Sequence, residues 1–171
     1  GANAGTYTAA LAIAGSPTTG KTESWDGSSW TETGDLNTGR TELGGAGTST
    51  AAQAFAGGSP NYDLNETWDG SSWTEGTDLN TGRQGSSGCG STNTASICVG
   101  GSNPGAVALT ELWDGSSWTE TGDLNTAREF LSSIGSSTAA IAVGGVPPSG
   151  GTGITEKWNG SSWTEVGDLN T

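Results

Sequence analysis

The sequence predicts an all-β fold assembled from four repeats of one four-stranded antiparallel unit. Three observations carry that expectation. The string Trp-Asx-Gly-Ser-Ser-Trp-Thr-Glu begins at Trp25, Trp68, Trp113 and Trp158, at spacings of 43, 45 and 45 residues. Self-similarity at that period marks a supersecondary unit that buries its apolar face only by stacking on its neighbours. Within each unit an apolar run alternates with a period of two: Leu11 and Ile13 share one face, Ala10, Ala12 and Ala14 the other. No segment shows a period of 3.6, so essentially no helix is expected. Finally, the chain holds 31 Gly and is only 30% hydrophobic, yet its eight Trp recur at fixed positions. Such regular aromatics must bury something.

Each unit reads in order as four strands, A to D. Strand A is the Gly-rich segment after an Arg, as over 43–48. A tight Ser/Thr/Asn turn leads into strand B, as over 52–56. A variable Gly/Pro/Ser loop follows, and strand C ends at the first Trp of the motif. Asp-Gly-Ser-Ser is a hairpin turn, and strand D starts at the second Trp. The segment Asp-Leu-Asn-Thr, beginning at Asp35, Asp78, Asp123 and Asp168, is an Asx-type turn leading into the next strand A, its Leu plugging the core. The Gly content of strand A suits an innermost strand where units converge. The alternation of large and tiny residues in strand B suits sheets stacked face to face.

These features describe a β-propeller of four antiparallel blades, over residues 1–38, 39–81, 82–126 and 127–171 of a single domain. The unit resembles the kelch repeat, through Arg83, Gly100-Gly101, Trp113-Asp114 and Trp118 in that order, and the likeness covers the whole chain four times. A WD40 reading is disfavoured, because its Gly-His element is impossible in a chain without His. Repeats of this Trp-Asp-Gly-Ser-Ser-Trp type are also similar to those in tail and appendage proteins of environmental tailed phages. The resemblance implies a virion-surface or extracellular setting. The frame leaves three arrangements open: a piece of a larger ring or array with flanking repeats, a ring completed by further copies of the chain, or a four-bladed ring closed alone. A start at Gly1 rather than Met reads as a processed piece or a segment of something longer.

Composition narrows the partners. The formal charge of −13 repels nucleic-acid phosphates and anionic lipid, and no run reaches transmembrane length. Neither nucleic-acid binding nor membrane insertion is expected. Without His there is no Ser-His-Asp triad and no His-ligated zinc or copper, and no phosphate loop or dinucleotide fingerprint appears. The expectation is a protein with no catalytic residues, no metal ligands and no cofactor.

Candidate sites remain. The hairpin places Glu23 opposite Glu32, with Glu66/Glu75, Glu111/Glu120 and Glu156/Glu165 likewise. Like charges directly opposite destabilise a pair, so each pair calls for solvation, an Arg from a neighbouring strand, or a Ca²⁺ ion. Two carboxylates fall short of the six to eight oxygens calcium takes. Arg40, Arg83 and Arg128 share one phase. They read either as structural groups bonding carbonyls or a neighbour's Glu, or as a converging set that grips an anionic ligand. The second Trp of each pair, as at Trp73 and Trp118, is expected to be the more buried. Trp68 and Trp113 are expected to be partly exposed and available to stack on sugar. Cys89 and Cys98 flank a turn at Asn93-Thr94; a two-residue hairpin sets them opposite each other, within reach of a disulfide, with two apolar fillers as the other reading. Asn65-Glu66-Thr67 and Asn159-Gly160-Ser161 are glycosylation acceptor patterns.

The function so read is a non-enzymatic binding or structural module, taking a glycan or protein through the variable B–C loops at 16–20, 59–63, 102–106 and 146–153. The alternative is a fragment of a sialidase-like carbohydrate-active enzyme.

Overall fold

The computed structural model describes residues 1–58, 63–150 and 153–170. Parts of the second and fourth B–C loops therefore lie outside the described residues. The described chain contains sixteen strands and no helix. Blade 1 holds β1 (Ala2–Thr6), β2 (Ala9–Gly15), β3 (Thr19–Trp25) and β4 (Trp30–Glu32); blade 2 holds β5 (Gly44–Gly47), β6 (Ala52–Phe55), β7 (Asn65–Trp68) and β8 (Trp73–Glu75). Blade 3 holds β9 (Ser87–Thr92), β10 (Ala95–Val99), β11 (Thr110–Trp113) and β12 (Trp118–Glu120); blade 4 holds β13 (Ser132–Gly135), β14 (Ala140–Val143), β15 (Thr155–Trp158) and β16 (Trp163–Glu165). Each blade is a four-stranded antiparallel sheet in sequential order. The chain is a four-bladed β-propeller arc.

The C–D register is as the repeat dictates, with Trp68 opposite Trp73 and Glu66 opposite Glu75. The turn between them is closed by its own Asp. The Asp69 carboxylate accepts hydrogen bonds from Ser71 N (2.8 Å), Ser71 Oγ (2.8 Å) and Ser72 N (2.9 Å), and Gly70 takes φ +100°. The Trp68 indole donates to Ser49 O at 3.1 Å, tying the outer hairpin back to the turn before strand B.

The core lies between blades rather than within them. Leu11, Ile13 and Leu36 of blade 1 pack on Leu43, Ala52, Ala54, Trp68 and Trp73 of blade 2. Phe55 and Leu79 meet Cys98, Trp113 and Trp118 at the second joint. Ile97, Val99 and Leu124 meet Ala140, Ala142, Trp158 and Trp163 at the third. At each joint the large face of one strand B presses on the small face of the next, which leaves room for two indole rings. The inner strands follow suit: β1 packs on β5, β5 on β9 and β9 on β13. Among the described residues, no comparable packing joins β13 to β1.

Two expectations are overturned here. Both Trp of each pair are buried in blades 2 to 4, and the first at least as deeply: Trp68 is 1% exposed and Trp73 5%. Trp68 and Trp113 are therefore unavailable to stack on sugar. The cause is the neighbouring blade, which covers the whole hairpin. The cysteines do not pair either. A bulge shifts the β9–β10 register between Ala95 and Ser96, so Cys89 faces Ile97 and Cys98 faces Gly88. One extra residue in a hairpin sends successive side chains to opposite faces. Both thiols are free and buried. Burial pushes Cys89 up to about 11 and Cys98 upward as well, so neither is a reactive thiolate at neutral pH.

Candidate functional site

Of the two readings of the three Arg, the structural one holds: all three are sealed into the joints, and none forms a ligand grip. Arg40 pairs with Glu66 at 2.8 Å, and its other nitrogen donates to Ala54 O at 3.0 Å. Arg83 pairs with Glu111 and Arg128 with Glu156, all four side chains fully buried. The Asn of the first three Asp-Leu-Asn-Thr segments completes the cage: Asn37 donates to Glu66 from its backbone at 2.8 Å and from its amide at 2.9 Å. Asn80 and Asn125 treat Glu111 and Glu156 in the same way. Each Glu is thus held by the segment that links its blade to the preceding one. Glu156 shows the balance of forces. Burial raises its pKa, but the Asn125 backbone N–H and the Arg128 guanidinium outweigh that and hold it below the usual carboxylate range. This removes Arg40, Arg83 and Arg128 from any ligand-contacting role and accounts for the recurrent Glu pairs. Asn65 is equally unavailable, being buried and bonded to Gln53 and Thr77 O. Among the described residues, no group of three or more His, Cys, Asp or Glu converges on a common point, and no helix is long and apolar enough to cross a membrane.

What remains open to solvent is the axis of the arc. The four inner strands line a polar channel of about 320 Å³ walled by Asn3, Ser87, Ser132, Ser133 and glycine backbone. At one end it widens into a mouth of about 400 Å³ lined by Ser16, Thr41, Glu42, Leu43, Gly85 and Phe130, among others. The described parts of the B–C loops stand around this end. Gly58 N donates to Thr41 O, while Ser102 pairs with Gln84 and Val146 with Glu129 through short bridges.

Glu42, Gly85 and Phe130 occupy one phase, two residues after the Arg, and all three lie in the left-handed region with φ of 56°, 62° and 53°. Gly adopts that conformation freely, whereas a residue with a Cβ stores about 1–3 kcal/mol there. A hydrogen-bonded collar holds them: Gly85 N donates to Glu42 O at 2.9 Å, and Phe130 N donates to Gly85 O at 2.7 Å. Phe130 is 55% exposed, and its ring lies over Gly85, where an added Cβ would meet it at 3.0 Å. Sequence reasoning passed over Glu42 and Phe130 because neither is the Gly or Asn that signals positive φ; their shared phase after the Arg was the one available clue.

The fold has a solved counterpart. The chain superposes on a structure titled "Structure of YjhT" with a TM-score of 0.69 and 16% sequence identity, over 86% of this chain and 52% of that one. It spans about half the length of that structure, and at this identity the likeness concerns the fold alone. No protein-family model and no curated protein matches the sequence.

Proposed function

We propose that the chain is a non-enzymatic propeller module, displayed outside a cell or on a virion, that binds a ligand at the channel mouth, with a glycan the best fit to its chemistry. The observation that carries this reading is Phe130, a half-exposed aromatic held in a strained backbone conformation over an open mouth of mixed polar and apolar lining. Strain kept at an exposed position, when Gly would remove it, points to a role for the side chain. An aromatic face beside a carboxylate (Glu42) and hydroxyls (Ser16, Thr41) offers apolar contact to the C–H face of a sugar and acceptors to its hydroxyls. The B–C loops vary in length and sequence while the frame repeats, which is how a scaffold acquires specificity. The non-catalytic part rests on the carboxylates. Glu66, Glu111 and Glu156 are locked to Arg, and Glu42 is the one acid lining the mouth among the described residues, whereas retaining glycosidases work with a pair about 5 Å apart.

The test is a glycan-array screen followed by calorimetry on the hits. Phe130→Gly is the informative variant, because it removes the ring and relieves the backbone. Binding should weaken about tenfold, the worth of one aromatic contact, while the melting temperature stays level or rises. Undiminished binding by Phe130→Gly would remove the mouth as the site. Turnover of sialylated or sulfated glycans in the same screen would replace this reading with the carbohydrate-active enzyme.

A further inference from the structure

The two outer faces of the arc are the two halves of one blade joint. On blade 4, the face that elsewhere receives the next blade is bare: Ile134 is 70% exposed, Ile141 39% and Leu169 53%. Their counterparts are covered in blades 1 to 3; Leu36, Leu79 and Leu124, which share the phase of Leu169, are all buried, and so are Leu11 and Ile97, which share that of Ile141. A depression of about 300 Å³ lies on this face, lined by Ile134, Ile141 and Lys157 among others. On blade 1, the opposite half is bare. Trp30 is 49% exposed where Trp73, Trp118 and Trp163 are buried, and Glu23 is exposed where Glu66, Glu111 and Glu156 are caged.

We infer that these faces join head to tail between two copies of this chain. The occupant is specified by the joints already formed. At the first and third joints the second Trp of the later blade donates to a Thr hydroxyl of the earlier one, Trp73 to Thr22 at 3.1 Å and Trp163 to Thr110 at 3.0 Å. Thr155 holds the equivalent place on blade 4, and Trp30 of a second copy is the missing donor. Asn170, exposed and in phase with Asn37, Asn80 and Asn125, stands on the Leu169 side to address the uncaged Glu23. The complementarity is therefore apolar ring to apolar depression, donor to acceptor and amide to carboxylate, continuous in kind with three interfaces present in the same molecule. Such a contact is heterologous, with a different patch on each partner, so it propagates or closes a ring according to its rotation.

The heterologous geometry gives a decisive experiment. Native mass spectrometry and sedimentation velocity of the 171-residue chain should show species at multiples of the chain mass. Trp30→Arg blocks one half-joint and Ile141→Asp the other; both side chains are surface groups, and circular dichroism checks that each variant is folded. Each variant alone should be monomeric. Their equimolar mixture should form a 1:1 dimer through the intact pair of faces, and adding Thr155→Val to the Trp30→Arg partner should weaken that dimer. A wild-type chain that stays monomeric throughout its soluble range overturns the inference, as does a single variant that still assembles or a mixture that does not. The first of these results assigns the bare faces to another occupant, such as further blades of a longer chain.

Discussion

The hairpins of blades 1 and 2 carry the same eight residues, Trp-Asp-Gly-Ser-Ser-Trp-Thr-Glu, and fold alike. Trp25 and Trp30 sit with ring centroids 5.4 Å apart at 40°, Trp68 and Trp73 at 5.3 Å and 42°. The Asp turns match, and so does the Glu-to-Glu register. Yet Trp73 is buried and Trp30 is half exposed. Local sequence sets the shape of the hairpin, and the preceding blade sets what that shape is worth. Stability in this fold is a property of joints, as expected for stacked repeats whose energy is largely in nearest-neighbour interfaces.

The largest effects should therefore separate identical residues by position. Trp73→Ala, which empties the first joint and strands Thr22, should cost about 3–5 kcal/mol. Trp30→Ala, measured at concentrations that keep the chain monomeric, should cost less than about 1 kcal/mol. Chemical denaturation monitored by circular dichroism gives both numbers. Equal losses would mean that the rings stabilise their own hairpin rather than the joint.

The ion-pair cage makes the same contrast with charge. Glu111→Ala leaves the buried Arg83 guanidinium and the Asn80 amide without their acceptor, and loss of one partner of a buried pair costs about 3–5 kcal/mol. Glu23→Ala removes a carboxylate that has no Arg on it and should stay within about 0.5 kcal/mol. Replacing Arg83 and Glu111 together, by Met and Leu, should recover most of the loss, since the penalty lies in the orphaned charge rather than in a net gain from the pair. A double variant as unstable as Glu111→Ala would show that the Asn80 bonds, not the charge, hold the joint.

How much of this was legible in the sequence follows the same division. Most of what is set within one blade could be read: the strand order, the Asp turn, the Trp-to-Trp and Glu-to-Glu register, and the plugging Leu of Asp-Leu-Asn-Thr. The recurrence of Arg in one phase was visible too, and of its two readings the structural one holds, because the Glu opposite belongs to the following blade. What depends on a neighbour was misjudged. The kelch likeness makes the second Trp the buried one and Trp68 the more exposed partner, whereas Trp68 is covered by blade 1. The exception within a blade is the Cys89–Cys98 pairing, which failed on one bulged residue in a Gly/Ser-rich strand, where register is weakly specified. The collar of Glu42, Gly85 and Phe130 was invisible because only one of its members is a Gly. The mouth, assembled from residues of all four blades, has no signature in any one of them.

The smallest expected effect tests the part that local sequence does control. The carboxylates of Asp26, Asp69 and Asp114 each accept hydrogen bonds from the two Ser that follow, and these hold their pKa at about 2. Their folded value lies below the ordinary value of 3.8. Between about pH 4 and pH 2 the unfolded chain therefore binds more protons than the folded one, and stability falls as pH is lowered through that window. The contribution is complete above pH 4 and gone below pH 2. Blade 4 supplies an internal control, because Asn159 stands at the same position and makes the same turn, accepting from Ser161 N at 2.9 Å and Ser162 N at 3.0 Å without a titrating group. The backbone amides of Ser28, Ser71 and Ser116 should accordingly shift in an NMR acid titration with midpoints near pH 2, while that of Ser161 stays flat. Asp114→Asn should leave the turn intact and silence the response at Ser116 alone. Midpoints near 4 at all three Asp turns would show that the Ser hydrogen bonds are exchanged for water in solution. The turn would then rest on Gly115 and the paired Trp rather than on its carboxylate.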